Sequence, residues 1–298
     1  MILSRIGAVL DRIQASITFR LMMRLGQRRL ARAGLSEQPL HLFLDVWSRM
    51  ISATADSTDD LRRSIRNLLL AELPPEARSL VPALEIRDVP VMNTWTYQNQ
   101  VMKWDIAPKE LVLDLGSGGW PFSRADHLAD KFPEQTTHRV ESIIRDGRPF
   151  CVVDIHHLPF KDDAYDFVFC SHVLEHLDNP GQAIRELTRI ARKGYLEVPS
   201  RLSDVMFNFT RLTNHHRWHG LVLAGVLVLI EWTDAERREL GNQYFDALHC
   251  EYSNQFQTFF ERNRDLFFAA LSWSDEISFL IIDKSGVVID RNPPLPSC

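Results

Sequence analysis

The run Leu111–Val112–Leu113–Asp114–Leu115 leads directly into Gly116–Ser117–Gly118–Gly119, and few folds accommodate that order of residues. An apolar stretch that ends in an acid and then glycines reads as a strand buried on both faces entering a tight turn. Similar runs recur at Cys151–Val152–Val153–Asp154, Phe167–Val168–Phe169–Cys170 and Tyr195–Leu196–Glu197–Val198. Between the last two, Pro180–Arg192 places Ala183, Ile184, Leu187, Ile190 and Ala191 on one helical face. Buried strands alternating with a helix predict a parallel sheet with crossover connections, over residues 108–200.

The flanks read differently. Residues 1–90 are expected to be helical. Within 1–34, Arg5, Arg12, Arg20, Arg24, Arg28, Arg29 and Arg32 face a single acid, Asp11, and Ile2, Ile6, Val9, Ile13 and Ile17 recur at helical spacing. This basic amphipathic helix has two readings. Its apolar stripe packs on the domain behind it with the arginines solvated, or it lies on an anionic membrane surface or serves as a transit peptide. After Pro199, two hairpins are expected: Leu221–Leu223 with Val226–Ile230 around Ala224–Gly225, and Ile277–Asp283 with Val287–Asp290 around Lys284–Ser285–Gly286. Asp234–Leu248 and Ser253–Ala270 read as helices. The chain thus divides into 1–90, a core over 91–200, and 201–298, a C-terminal α+β addition that completes the sheet and supplies an acceptor pocket or lid.

Composition narrows the partners. A net charge of −5 gives no basic footprint for a phosphate backbone, so nucleic acid is not the expected partner. No uncharged apolar stretch reaches the roughly 18–20 residues that span a bilayer. The longest candidate, Leu221–Ile230, contains Gly225. The cysteines Cys151, Cys170, Cys250 and Cys298 are scattered without a CxxC pair, which suits a reducing, cytoplasmic setting.

The glycine turn carries the chemistry. Gly116 and Gly118 allow backbone geometry and close ligand approach at the carboxyl end of a central strand. The Lys–Ser/Thr ending of a P-loop is missing, and Phe122 stands where a dinucleotide motif would carry its third glycine. Asp154 ends another strand, where an acid can accept a hydrogen bond from an adenine amino group with Ile155 against the ring. Each acid taken alone is equally well a cap or a strand-end turn.

Together the segments LVLDLGSGG, VVDIHHLPF, AYDFVFCSHVLEHL and GYLEVPS resemble the class I S-adenosylmethionine-dependent methyltransferases, in order, over residues 109–200. The resemblance implies a Rossmann-like α/β core with a mostly parallel sheet. It implies that Asp114, Gly116, Ser117 and Gly118 line the methionine end of S-adenosylmethionine, that Asp154 and Ile155 hold adenine, and that Ser171 sits beside the cofactor. The family also needs an acid at the end of the second strand for the ribose. Asp130 comes early and Glu141 late; Asp130 is favoured, at the cost of a shortened first crossover helix.

A base is needed only where the acceptor must lose a proton. The candidates are His172 after the fourth strand, and His216 and His219 from the cluster with His215, with Trp218 and Trp232 as pocket walls. A histidine or tryptophan packed in the core is the alternative for each. Glu175 and His176 read as structural. No metal is expected, because the histidine cluster has no neighbouring Cys or carboxylate in sequence. The leading function is methyl transfer to an oxygen or nitrogen of a small or medium acceptor: a sugar, a lipid-linked molecule or a secondary metabolite. The alternative is a non-catalytic scaffold with the same fold. An oxidoreductase is disfavoured by the missing third glycine, and nucleic-acid methylation by Cys170–Ser171–His172–Val173 standing where a base-flipping motif would follow the fourth strand.

Overall fold

The computed structural model describes residues 94–134, 136, 141–204, 216–239 and 263–293. The N-terminal helical region, the basic helix of residues 1–34, His215 and most of the two expected C-terminal helices lie outside the described residues.

Ten strands are described: β1 Val112–Leu115, β2 His127–Asp130, β3 Phe150–Val152, β4 Phe167–Ser171, β5 Lys193–Pro199, β6 Trp218–Leu223, β7 Val226–Glu231, β8 Phe268–Ser274, β9 Phe279–Ile282 and β10 Val288–Asn292. One sheet has the order β3-β2-β1-β4-β5-β8, and a second has the order β10-β9-β7-β6. In the first sheet β3, β2, β1, β4 and β5 run parallel and β8 is antiparallel to β5. This is the mostly parallel sheet that the alternating buried runs predict, in the Rossmann-like α/β form that the resemblance implies.

Chain order reverses between β1 and β4, so the carboxyl ends of β1, β2 and β4 border a crevice at a topological switch point. The connection from β1 to β2, residues 116–126, holds no helix. The expected shortened crossover helix is replaced by a loop that buries Phe122 and Ala125. Phe122 stacks on Phe169 at 4.3 Å between centroids. Trp104 then meets Phe122, Phe169 and Tyr195 edge-on at 5.0–5.7 Å. An aromatic plug therefore covers the face that a crossover helix would cover, because the span is shorter than the dozen or so residues a helical crossover needs.

The opposite face is covered by helix α1, Pro180–Ile190. Asn179 caps it by accepting a hydrogen bond from the Gln182 backbone N–H at 3.1 Å, and Pro180 fits the first turn, where its missing N–H costs nothing. Ala183, Ile184, Leu187 and Ile190 are buried against Val168, Cys170 and Leu196. The helix stops at Ile190 instead of Arg192 because Ala191 is extended.

The second sheet packs on the same side, contributing Trp218, Leu227, Leu229, Phe279 and Ile281 to this core. Both expected hairpins are present, β6–β7 and β9–β10. The turn of the first uses positive φ at Ala224 and Gly225. The expected helix Ser253–Ala270 is corrected at its end: only Arg264–Phe267 is helical among its described residues, and Phe268 begins β8.

Candidate functional site

The glycine turn follows β1 directly. Gly116 and Gly118 both have positive φ, 83° and 50°, which side chains rarely adopt. The N–H groups of Gly116 and Ser117 both donate to the carbonyl of Ala129, so the turn folds back over the end of β2. Asp130, the last residue of β2, accepts from Gly118 N–H at 3.1 Å and from Phe132 N–H at 2.9 Å. Ser117 is buried, and its Oγ has no hydrogen-bond partner among the described residues.

Asp114 lies beneath the turn and is 2% exposed. Its carboxylate accepts from Phe122 N–H at 2.7 Å. Burial pushes its pKa up to about 7, against the opposing pull of that N–H and of the Arg148 guanidinium. This residue therefore holds the plug loop against β1 and supports the turn from below.

Asp154 follows β3 and is bound by Lys131 at 2.8 Å and by His156 Nδ1 at 2.7 Å. The hydrogen bond from Lys131, then that from the His156 backbone, hold its carboxyl well below the usual range. Ile155 is 5% exposed and packs in the core with Leu158 and Val153. Ser171 ends β4, and its hydroxyl donates to Glu197 Oε1 at 3.3 Å. The expected cofactor residues thus form two groups. Asp114, Gly116, Ser117, Gly118 and Asp130 are joined by direct hydrogen bonds or chain neighbourhood, whereas Asp154 and Ile155 follow β3 and Ser171 ends β4.

The histidines are placed unlike one another. His172 has φ 58° and sits between two carboxylates, with Nδ1 3.1 Å from Glu175 Oε1 and Nε2 3.3 Å from Glu197 Oε1. Burial opposes its charged form, but Glu175 and Glu197 outweigh that and raise its pKa strongly. Both ring nitrogens face acceptors, so the ring is a cation wedge rather than a free base. His216 is buried, with Nδ1 2.6 Å from Asp204 Oδ1, and Asp204 also accepts from Trp232 Nε1 at 2.9 Å. His219 is 3% exposed and packs 4.7 Å from the Trp232 ring. Burial, with Arg201 nearby, drives its pKa well below the ordinary imidazole value. It lies in β6 of the second sheet.

Glu197 is the site residue that the strand pattern hid. It is buried in β5 and accepts from Gln98 Nε2 at 2.9 Å and from the Tyr195 hydroxyl. A carboxylate inside a buried strand run must be paired. Glu197 within Tyr195–Val198 was therefore a signal in its own right.

Beside the glycine turn a cleft of about 520 Å³ is lined by Trp95, Gly119, Trp120, Pro121, Ser123, Ile144, Asp146 and Arg148. Arg148 is committed to Asp146 and to the carbonyls of Phe122 and Ala125, which leaves the two tryptophans as its main free walls.

The methyltransferase domain family model matches residues 126–196, from the start of β2 to the middle of β5. Residues 126–196 are therefore similar to a methyltransferase domain, and they lie within the Rossmann-like sheet. The cofactor that this similarity supports is S-adenosylmethionine. The chain presents residues that fit this group: a side-chain-free turn at Gly116 and Gly118, a buried Ser117 hydroxyl without a hydrogen-bond partner among the described residues, and a strand-end carboxylate at Asp130. Curated proteins gave no match to the chain. Among solved structures, it is similar to a possible histamine N-methyltransferase from Thermotoga maritima, at 22% identity over 32% of this chain and 45% of that one, TM-score 0.25. This chain thus spans less than half of that protein's length. It is also similar to a putative methyltransferase in complex with the Trm112 activator from Haloferax volcanii, at 17% identity over 58% and 84% of the two chains, TM-score 0.36. A putative methyltransferase from Bacillus halodurans matches at 18% identity over 39% and 59%, TM-score 0.28.

Proposed function

We propose that the protein transfers the methyl group of S-adenosylmethionine to an oxygen or nitrogen of a small or medium acceptor, of the sugar, lipid-linked or secondary-metabolite kind. The observation that carries this reading is the crevice at the end of β1, where Gly116–Gly118 and Asp130 are hydrogen-bonded into one rigid turn. When bound there, the cofactor supplies an already activated sulfonium methyl group. Gly116, Ser117 and Gly118 would hold its methionine end, Asp130 its ribose, and Asp154 its adenine amino group. Ser171 would stand beside it at the end of β4.

The protein's own contribution is then alignment and exclusion of water. Val173 closes over the turn: a Cβ built on Gly116 would lie 2.2 Å from Val173 Cγ2. The cleft between Trp95 and Trp120 opens beside Gly119 and offers flat apolar walls to an acceptor. His172 is held by two carboxylates, so a proton lost by the acceptor would leave to solvent rather than to His172. The segment 201–298 contributes the acceptor side, and residues 1–34 bring the enzyme to a membrane surface when the acceptor is lipid-linked.

Calorimetric titration with S-adenosylmethionine and S-adenosylhomocysteine tests the reading. Micromolar binding of either supports it, and methyl transfer from labelled cofactor to an acceptor panel then follows. A folded sample that binds neither would overturn it in favour of the scaffold alternative.

A further inference from the structure

The glycine turn runs straight into Trp120, and this tryptophan is left 61% exposed. Ile144, 40% exposed, lines the same cleft. A single exposed apolar residue is ordinary, whereas two large ones on one concave surface mark a place where something binds. The cleft volume of about 520 Å³ lies in the range of small-ligand pockets.

The second indole is held in place. Trp95 Nε1 donates to the Pro121 carbonyl at 3.2 Å. The Trp95 carbonyl accepts from Asn99 Nδ2 at 2.8 Å, and Asn99 Oδ1 accepts from the Ser123 N–H at 2.7 Å. Trp95 is thereby tied to the loop that presents Trp120, and the wall exists before a ligand arrives. The two ring centroids lie 6.3 Å apart with the planes at 54°. A third ring sandwiched between parallel faces needs about 7 Å, twice the contact distance of two carbons. The tilted pair instead suits a ring stacked on the open Trp120 indole with its edge toward Trp95.

Charge selects among ligands. Arg148 Nε donates to Asp146 Oδ1 at 2.9 Å and Nη2 to Oδ2 at 2.6 Å, while Nη1 serves the Phe122 and Ala125 carbonyls. The pair neutralises itself, so an anion meets no open guanidinium and a cation no uncompensated carboxylate. Beyond that pair and the committed Trp95 Nε1, the polar side-chain atoms of the lining residues are the Ser123 hydroxyl and Trp120 Nε1. These suffice for one or two polar substituents. They do not suffice for a sugar, whose many hydroxyls each need a partner once taken from water.

We propose that the acceptor is a neutral aromatic ring carrying one or two hydroxyl or amino groups, stacked on Trp120 and steadied by Trp95. The acceptor role rests on the proposed methyl transfer, whereas the ring site stands on the cleft alone.

The test uses full-length protein labelled with ¹⁵N at tryptophan, with the Trp95 and Trp120 indole signals assigned from Trp95→Phe and Trp120→Phe. The probe is 2-naphthol, titrated with and without saturating S-adenosylhomocysteine. Its saturated counterpart decahydro-2-naphthol and methyl glucoside are the controls. Both indole signals should move with 2-naphthol, which should bind at least about tenfold more tightly than either control. Trp120→Ala changes an exposed side chain and should keep the melting temperature, yet weaken 2-naphthol binding at least about tenfold. Equal affinity for 2-naphthol and its saturated counterpart, or unchanged affinity in folded Trp120→Ala, would overturn the ring site even where S-adenosylhomocysteine binds. Self-association that Trp120→Ala abolishes, without any shift by 2-naphthol, would overturn it in favour of a second copy of the chain. A sample that binds 2-naphthol but not S-adenosylhomocysteine would overturn the acceptor role through the methyl-transfer reading, and the ring site would stand.

Discussion

Asp130 Oδ2 accepts a hydrogen bond from the backbone N–H of Gly118 at 3.1 Å, so the last residue of β2 fixes the shape of the turn that follows β1. The same carboxylate caps Phe132 N–H at 2.9 Å. One side chain thus organises the turn, and in the proposed function it would also hold the ribose. Asp130→Ala should lower S-adenosylhomocysteine affinity by tenfold or more, about 1.4 kcal/mol, and lower stability by about 1–3 kcal/mol through two orphaned N–H groups. Calorimetry and urea unfolding read the two effects separately. Unchanged affinity in a folded variant would remove Asp130 from the cofactor site and return Glu141 to consideration.

Two glycines with nearly equal φ separate backbone strain from crowding. Gly116 has φ 83° and a built Cβ would lie 2.2 Å from Val173 Cγ2, whereas Gly225 has φ 80° and nothing within 4 Å. Gly225→Ala should cost about 1–2 kcal/mol from the left-handed conformation alone. Gly116→Ala should cost about 2–4 kcal/mol, since overlap with Val173 adds to the same strain, and it should also abolish cofactor binding. Equal destabilisation of the two variants would mean that Val173 does not pack on the turn.

How much of this was legible follows from the range over which each signal acts. β1, β4, β5 and α1 announce themselves locally, by continuous apolar runs and by the face Ala183–Ile184–Leu187–Ile190. β8 does not. Its residues alternate between buried Ala269 and Trp273 and exposed Ala270, Ser272 and Ser274, but Ala and Leu also suit a helix, and the preceding Arg264–Phe267 is helical. Only the partner β5 decides the matter. The β1–β2 connection was misread because residues 116–126 were expected to hold a helix, while the stacking of Phe122 on Phe169 comes from 47 residues away. The positive-φ turn at Gly116 and Gly118 was readable from its glycines, and Asp130 at the end of β2 from the short strand before it. The company of Glu175, Glu197 and His216 is set by the sheet and by the docking of β6 and cannot be read from spacing.

Asp154 tests whether a residue with protein partners also holds a ligand. Lys131 and His156 already bind it, and its side chain is 40% exposed. Exposed ion pairs of this kind contribute only about 0–1 kcal/mol. Asp154→Ala should therefore leave the unfolding midpoint within about 1 kcal/mol of wild type. If its remaining acceptor capacity serves adenine, S-adenosylhomocysteine affinity should fall about tenfold. Retention of full affinity would show that Lys131 and His156 are its whole purpose.

Asp114 supplies the pH signature. Burial raises its folded pKa to about 7, against an unfolded value near 3.8. The folded state then binds more protons than the unfolded state between these values, so stability declines as pH rises from about 4 to about 7. The full shift corresponds to roughly 4 kcal/mol at 1.36 kcal/mol per unit, with burial outweighing the Phe122 N–H and Arg148, which favour the ionised form. Asp114→Asn keeps an acceptor for Phe122 N–H but cannot ionise. Its stability relative to wild type should therefore improve steadily between pH 4.5 and 7.5, measured by urea unfolding without cofactor. A difference that stays flat across that range would mean Asp114 is ionised throughout, with Arg148 compensating its burial.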